Sequence, residues 1–197
     1  MNWWTMWQYR NYPFMMKVDF RLWWSYLLIN PYRASRKYLQ KKGEKNPYQY
    51  GETPLCVIDA LVTSAGGLQK YQYFADLGAG RGRITAFIQE KYGCKAFAFE
   101  QMPMFVKKGK KLFPKVDFVE GNFLEKDLSK MDLIYLYGTM MSKRDILAFV
   151  AKVPRNARVI TVSYPLTDYD SRFKVLSKQK ISFPWGETKG YIQCLRK

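Results

Sequence analysis

The stretch 75-ADLGAGRGRIT-85 decides the reading of this chain. An apolar run ends in Asp76, glycines follow at positions 78, 80 and 82, and a helix-forming run starts at Arg83. A glycine turn between strand and helix lets the backbone approach a ligand with no Cβ in the way. Such turns hold the charged part of nucleotides, and Arg81 and Arg83 point at first to phosphate. The spacing and the acid point elsewhere. A dinucleotide site uses G-x-G-x-x-G, whereas Gly78-x-Gly80-x-Gly82 is one residue tighter. A carboxylate at Asp76 would repel a pyrophosphate and attract a cation.

Outward from the loop, strand and helix patterns alternate. Strands are predicted at 71–76, 95–100, 116–121, 131–138 and 157–165, and two more, at 172–183 and 188–195, joined around Pro184-Trp185-Gly186. Thr53-Pro54 reads as an N-cap with proline at the first helical position. Val57, Ile58, Leu61, Val62 and Ala65 then share one helical face, and Gly66-Gly67 ends the helix. Ile84, Phe87 and Ile88 face inward on the helix after the loop. The helix after Pro103 carries Lys107, Lys108, Lys110 and Lys111 as a solvated face, and Ser142 to Asp145 reads as a capping box. Alternating strands and helices predict an α/β fold, a mostly parallel seven-stranded sheet with helices on both faces. The last two strands, with no helix between them, predict a closing antiparallel hairpin. An NAD-type Rossmann domain ends without that hairpin; class I methyltransferases have it.

The strand ends indicate the ligand. A phosphate-free nucleotide carrying an ammonium and a sulfonium, S-adenosylmethionine, suits a loop preceded by Asp76. Glu100, one βα unit further on, is placed to accept from both ribose hydroxyls, with Gln101 beside it. Asn122 is placed for the adenine edge, with Phe123 as an apolar wall. The expected cofactor contacts are therefore Asp76, Gly78, Ala79, Gly80, Gly82, Glu100, Gln101, Asn122, Phe123 and Tyr137.

Composition bounds the partners. The chain has 33 Lys+Arg against 16 Asp+Glu, a formal charge of +17, which favours nucleic acid, anionic lipid or an acidic protein surface. It has no histidine, which excludes a His-based triad or a His-ligated metal. Cys56, Cys94 and Cys194 are far apart, as expected of reduced thiols in a cytoplasmic protein, and no metal is expected. Residues 1–45 form an aromatic and basic helical extension, with Trp3, Trp4, Trp7, Trp23 and Trp24 among arginines and lysines, ahead of a domain at 46–197. The longest apolar run, Leu22 to Ile29, is too short to span a bilayer. The extension suits packing on the domain, a peripheral position on an anionic membrane, or stacking on RNA.

The series D76-L-G-A-G-R-G-R83, F-A-F-E100, E-G-N-F123 and M-D-L-I-Y-L-Y137 resembles the class I S-adenosylmethionine-dependent methyltransferases. More narrowly, it is similar to the protein-lysine methyltransferases that include the ATP synthase c-subunit lysine methyltransferase and its bacterial relatives. The resemblance covers about residues 48–165, including Tyr50-Gly51-Glu52-Thr53-Pro54 ahead of the first helix. It implies methyl transfer to a protein lysine, with Tyr50 and Glu52 orienting the amine and Tyr137 and Thr139 lining the acceptor pocket. Relatives also carry a hydrophobic N-terminal targeting segment; residues 1–45 match it in position but are too polar to span. The chain departs from relatives at Arg81 and Asn122, where they carry acids. Arg83 matches their loop and is expected to pair with an acid or pack on the sheet. An RNA methyltransferase and a non-catalytic adaptor on the same fold are the alternatives. Against a base-amine methylase, Leu136-Tyr137-Gly138-Thr139 stands where an Asn-Pro-Pro-Tyr-like element would be.

Overall fold

A computed structural model of the chain describes residues 9–43, 51–69, 72–183 and 186–196. Helices α1 (Met15–Ser25) and α2 (Pro31–Lys41) precede the domain. The domain follows as α3 (Leu55–Ser64), β1 (Tyr73–Leu77), α4 (Arg83–Tyr92), β2 (Lys95–Glu100), α5 (Pro103–Leu112), β3 (Val116–Glu120), β4 (Leu133–Leu136), α6 (Lys143–Val150), β5 (Arg158–Val162), β6 (Phe173–Phe183) and β7 (Gly186–Leu195). The seven strands form one sheet in the order β3-β2-β1-β4-β5-β7-β6. The first five run parallel, and β7 pairs antiparallel with both β5 and β6. The predicted class, strand number and closing hairpin are all present.

Side chains alternate across the sheet, as a period of two requires. Phe74, Ala98, Tyr135 and Ile160 face a core built with α1, α3, α4 and α5. Ala75, Phe99, Ile134 and Val159 face a second core built with α6. The middle strands are buried on both sides, which is why they read as apolar runs.

Three local readings are corrected. Thr53 is not the N-cap of α3; Pro54 takes that position with no side-chain cap. The Thr53 hydroxyl instead shares a hydrogen bond with the buried Tyr135 hydroxyl, 2.5 Å away. β4 is shorter than the apolar run 131–138 predicts. Its partner β1 turns away at Gly78, φ +81°, so pairing stops at Leu136 opposite Leu77. Ser142 accepts from the Asp145 N–H at 3.1 Å, but Asp145 takes the Ser142 hydroxyl proton instead of reaching back to the backbone.

Helix α1 packs on the domain. Met15, Val18, Leu22 and Tyr26 enter the first core, and α1 lies against α4 and α5. No helix among the described residues is long and apolar enough to cross a membrane. Arg83 grips Asp19 of α1 with two hydrogen bonds, 2.6 and 2.8 Å, and Tyr9 donates to the same carboxylate at 3.0 Å. Both side chains of the pair are under one-fifth exposed. Asp19→Ala leaves a guanidinium buried beside the cofactor loop without its anion. A cost of about 3 kcal/mol is expected, a fall of roughly 10 °C in melting temperature, with Asp19→Asn losing clearly less. Equal melting temperatures for Asp19→Ala and the parent protein would show that the ion pair does not hold the helix.

Candidate functional site

The site forms where β1, β2 and β4 end, the position at which open α/β sheets bind ligands. Gly78, Gly80 and Gly82 all have positive φ, +81°, +57° and +77°. This is a backbone shape that L side chains rarely adopt, and it explains the tight glycine spacing. At Gly78 a Cβ would meet nothing within 4 Å, so this glycine opens onto the cavity. At Gly82 a Cβ would fall 2.3 Å from the Phe118 ring, so this one is needed for packing. The Gly78 and Ala79 N–H groups both donate to the Phe99 carbonyl, at 2.9 and 3.0 Å.

Glu100 fastens the loop to β2. One carboxylate oxygen accepts from Gly80 N–H and the other from Met102 N–H, each at 2.8 Å. Burial pushes the Glu100 carboxyl upward, against these backbone donors, which favour its charged form. Each oxygen can accept a second hydrogen bond, and Glu100 lines the cavity. Gln101 beside it is held by the extension: its carbonyl accepts from Tyr38 at 2.9 Å and its side-chain oxygen from Lys42 at 3.3 Å.

The main cleft has a volume of about 490 Å³. Its floor is Leu77, Gly78, Glu100 and Leu136, and α2 closes it from above with Tyr32, Ser35 and Leu39. Phe123 lies in one wall, as expected. Asn122 is exposed beside Phe123, and its side-chain oxygen caps the short helical turn Phe123–Glu125 through Leu124 N–H at 3.0 Å. Tyr137, Thr139, Met140 and Met141 form the outer end.

A smaller cavity adjoins the cleft through Gly51, Leu77, Gly78 and Tyr137. Asp76 and Glu52 both line it. Asp76 is buried and accepts from the Thr85 hydroxyl at 2.7 Å. Burial, reinforced by the Glu100 charge, raises its carboxyl to about 7 against the help of Thr85. Tyr137 stands between the two spaces and stacks on Phe183 at 5.5 Å. Glu52 faces the cavity as expected, but both its oxygens accept from Arg81, at 2.7 and 2.8 Å. The Arg81 guanidinium also lies over the Tyr26 ring, 5.3 Å from its centroid. Neither loop arginine is placed for a phosphate: Arg81 ties the loop to the segment before α3, and Arg83 ties it to α1. Tyr50 lies outside the described residues.

The residues fit S-adenosylmethionine. Glu100 offers acceptors for two hydroxyls, Asp76 offers a carboxyl that an ammonium beside it would hold in its charged form, and Gly78 leaves the backbone open. Sequence reasoning missed the α2 roof, whose signal is the spacing Tyr32, Ser35, Leu39 on one helical face. It also missed Thr85 and Tyr135. Thr85 follows the loop within the first turn of α4, but its bond to Asp76 is a tertiary fact.

Residues 38–158 match the family described as O-methyltransferase domain. No curated protein sequence matches the chain. Among solved structures it is similar to an RNA methyltransferase from Salinibacter ruber in complex with S-adenosyl-L-homocysteine. The two are 19% identical with a TM-score of 0.58, over 74% of this chain and 93% of that one. It is also similar to a TehB-like SAM-dependent methyltransferase from Corynebacterium glutamicum, 15% identical with a TM-score of 0.56, over 85% of this chain and all of that one. The B. subtilis m1A22 tRNA methyltransferase is 15% identical with a TM-score of 0.56, over 69% of this chain and 65% of that one. At these identities the likeness is one of fold.

Asp76 keeps its proton in the folded protein up to about pH 7, whereas its unfolded reference value is 3.8. The folded state therefore binds more protons between those values, and stability falls as pH rises through that window. Asp76→Asn, which keeps an acceptor for Thr85, is expected to raise the melting temperature by several degrees at pH 8 and to change it little at pH 4. The same variant is expected to bind S-adenosylmethionine more weakly by calorimetry. No rise at pH 8 would mean that the buried charge is not what costs stability there.

Proposed function

The chain belongs to the O-methyltransferase domain family and is an S-adenosylmethionine-dependent methyltransferase, and we propose that its acceptor is the side-chain amine of a protein lysine. The observation that carries this reading is that, among the described residues, no carboxylate or imidazole lines the acceptor end. The chain has no histidine, and the outer cleft offers Tyr137, Thr139, Met140 and Met141. The carboxylates lie elsewhere: Glu100 in the cleft floor, and Glu52 and Asp76 in the adjoining small cavity. A hydroxyl acceptor would need one of them to take its proton in the transition state. An amine has its own lone pair once it has lost a proton to solvent.

When bound, the cofactor supplies a methyl carbon activated by its sulfonium. The protein's part is then to position and desolvate the acceptor. The thioethers of Met140 and Met141 and the Tyr137 ring form a wall suited to an alkyl chain. That wall desolvates the ammonium form and so pulls the amine's pKa down, in the same direction as the positive charge that the bound cofactor brings. Tyr137 also lines the cavity that holds Asp76, so it can align acceptor and cofactor at once. Glu52, held by Arg81, lines the adjoining cavity beside Tyr137 and is placed to orient the amine.

RNA is the second reading, favoured by the net charge of +17. A ring nitrogen also carries its own lone pair and would meet the same wall by stacking.

With methyl-labelled S-adenosylmethionine and a cell lysate, label is expected in material that is destroyed by protease and resists RNase and alkali. Label lost to RNase would select RNA, and label lost to alkali would select an oxygen ester. Glu100→Gln is expected to weaken cofactor binding about tenfold or more, as for a lost charged hydrogen bond. Transfer to no acceptor by a protein that binds the cofactor would favour the adaptor alternative.

A further inference from the structure

The outer face of α1 carries an apolar stripe. Met16, Phe20, Trp23 and Trp24 sit 4, 7 and 8 positions apart from the first, the spacing of one helical face, and Leu27 continues it into the turn after the helix. All five are exposed, as is Leu28 in the turn that follows; Trp24 is 66% exposed and Leu28 95%. The rings lie against one another, Phe20 to Trp23 at 5.9 Å and Trp23 to Trp24 at 6.3 Å. The opposite face of the same helix, Met15, Val18 and Leu22, is already buried in the domain. The helix is therefore apolar on two sides, and only one of them is used.

The charges on α1 are sorted the same way. Lys17 and Arg21, one turn apart, are exposed along the edge of the stripe. Asp19, the one acid in α1, is turned inward to Arg83. The outer side thus presents aromatic and aliphatic groups bordered by cations, with no anion among them.

We propose that this face docks on an anionic phospholipid surface, with α1 lying flat in the headgroup region. The 11 residues of α1 are far too few to span a bilayer, so the helix lies on the membrane. Tryptophan and phenylalanine settle at the boundary between acyl chain and headgroup, while Lys17 and Arg21 meet lipid phosphate. A second copy of the chain is a poorer occupant, because each copy brings a formal charge of +17 to the contact. RNA is poorer too, since Met16, Leu27 and Leu28 have no ring on which a base could stack.

The test is co-sedimentation of the full chain with vesicles of equimolar phosphatidylcholine and phosphatidylglycerol. The protein is expected to pellet with them, and much less with pure phosphatidylcholine. Trp23→Ser with Trp24→Ser is expected to weaken binding roughly tenfold or more. Lys17→Glu with Arg21→Glu should weaken it about fivefold per charge and reduce its salt sensitivity. S-adenosylhomocysteine binding should stay unchanged in both variants, which separates loss of docking from loss of fold and from failure of the methyltransferase reading. A parent protein that stays in the supernatant would overturn the proposal, as would equal pelleting by the variants. Sedimentation velocity showing a dimer that Trp23→Ser with Trp24→Ser dissociates would assign the face to a second copy instead. Binding to single-stranded RNA that the same variant abolishes, without vesicle binding, would assign it to RNA.

Discussion

Two bidentate ion pairs hold the cofactor loop to the chain that precedes it, Arg81 with Glu52 and Arg83 with Asp19. The rest of the site depends on them. A glycine-rich loop has little side-chain packing of its own and pays a high entropic penalty for being ordered. Here the ordering comes from outside the loop. Glu100 fixes Gly80 from one side, and the two arginines fix the other side to α1 and to the segment before α3. The arginine fork suits this role, because a planar bidentate contact sets direction as well as distance.

Because the loop is held in this way, its backbone N–H groups are spent on its own shape: Phe99 takes those of Gly78 and Ala79, Glu100 takes that of Gly80, and Gly82 packs on Phe118. Gly78 is left facing open space. The acids then divide by partner. Glu100 is paired with neutral backbone donors, and Asp76 with a neutral hydroxyl, so each keeps negative charge or acceptor capacity for a ligand. Glu52 and Asp19 are paired with cations and hold the loop, and Glu52 lines the small cavity as well.

The parts legible in the sequence are those set by neighbours in the chain. The glycine loop, the strand ending in Glu100, the two-faced burial of β1 and β4 and the closing hairpin all follow from local spacing. The misreadings have a common cause. Thr53 has the chemistry of an N-cap, but Tyr135, 82 residues away, takes its hydroxyl. Arg81 had no role in the sequence because Glu52 is 29 residues back, and Asp19 is 64 residues from Arg83. A side chain able to make one hydrogen bond can be placed from sequence only where the competing partners are also local.

The same sorting of acids explains the character of the outer surface. With 33 bases and 16 acids, the chain cannot neutralise itself. Asp19, Glu52, Asp59, Asp76 and Glu100 are all turned toward the interior or the cleft, where they bind arginine, lysine, tyrosine, threonine or backbone. Each acid placed inward for loop geometry or cofactor binding is one fewer on the outside. On α1 the consequence is local: the acid that anchors the helix to the loop is the one that would otherwise have stood among its exposed tryptophans and bases. The constraint that builds the cofactor site therefore also leaves the outer helix face apolar and cationic.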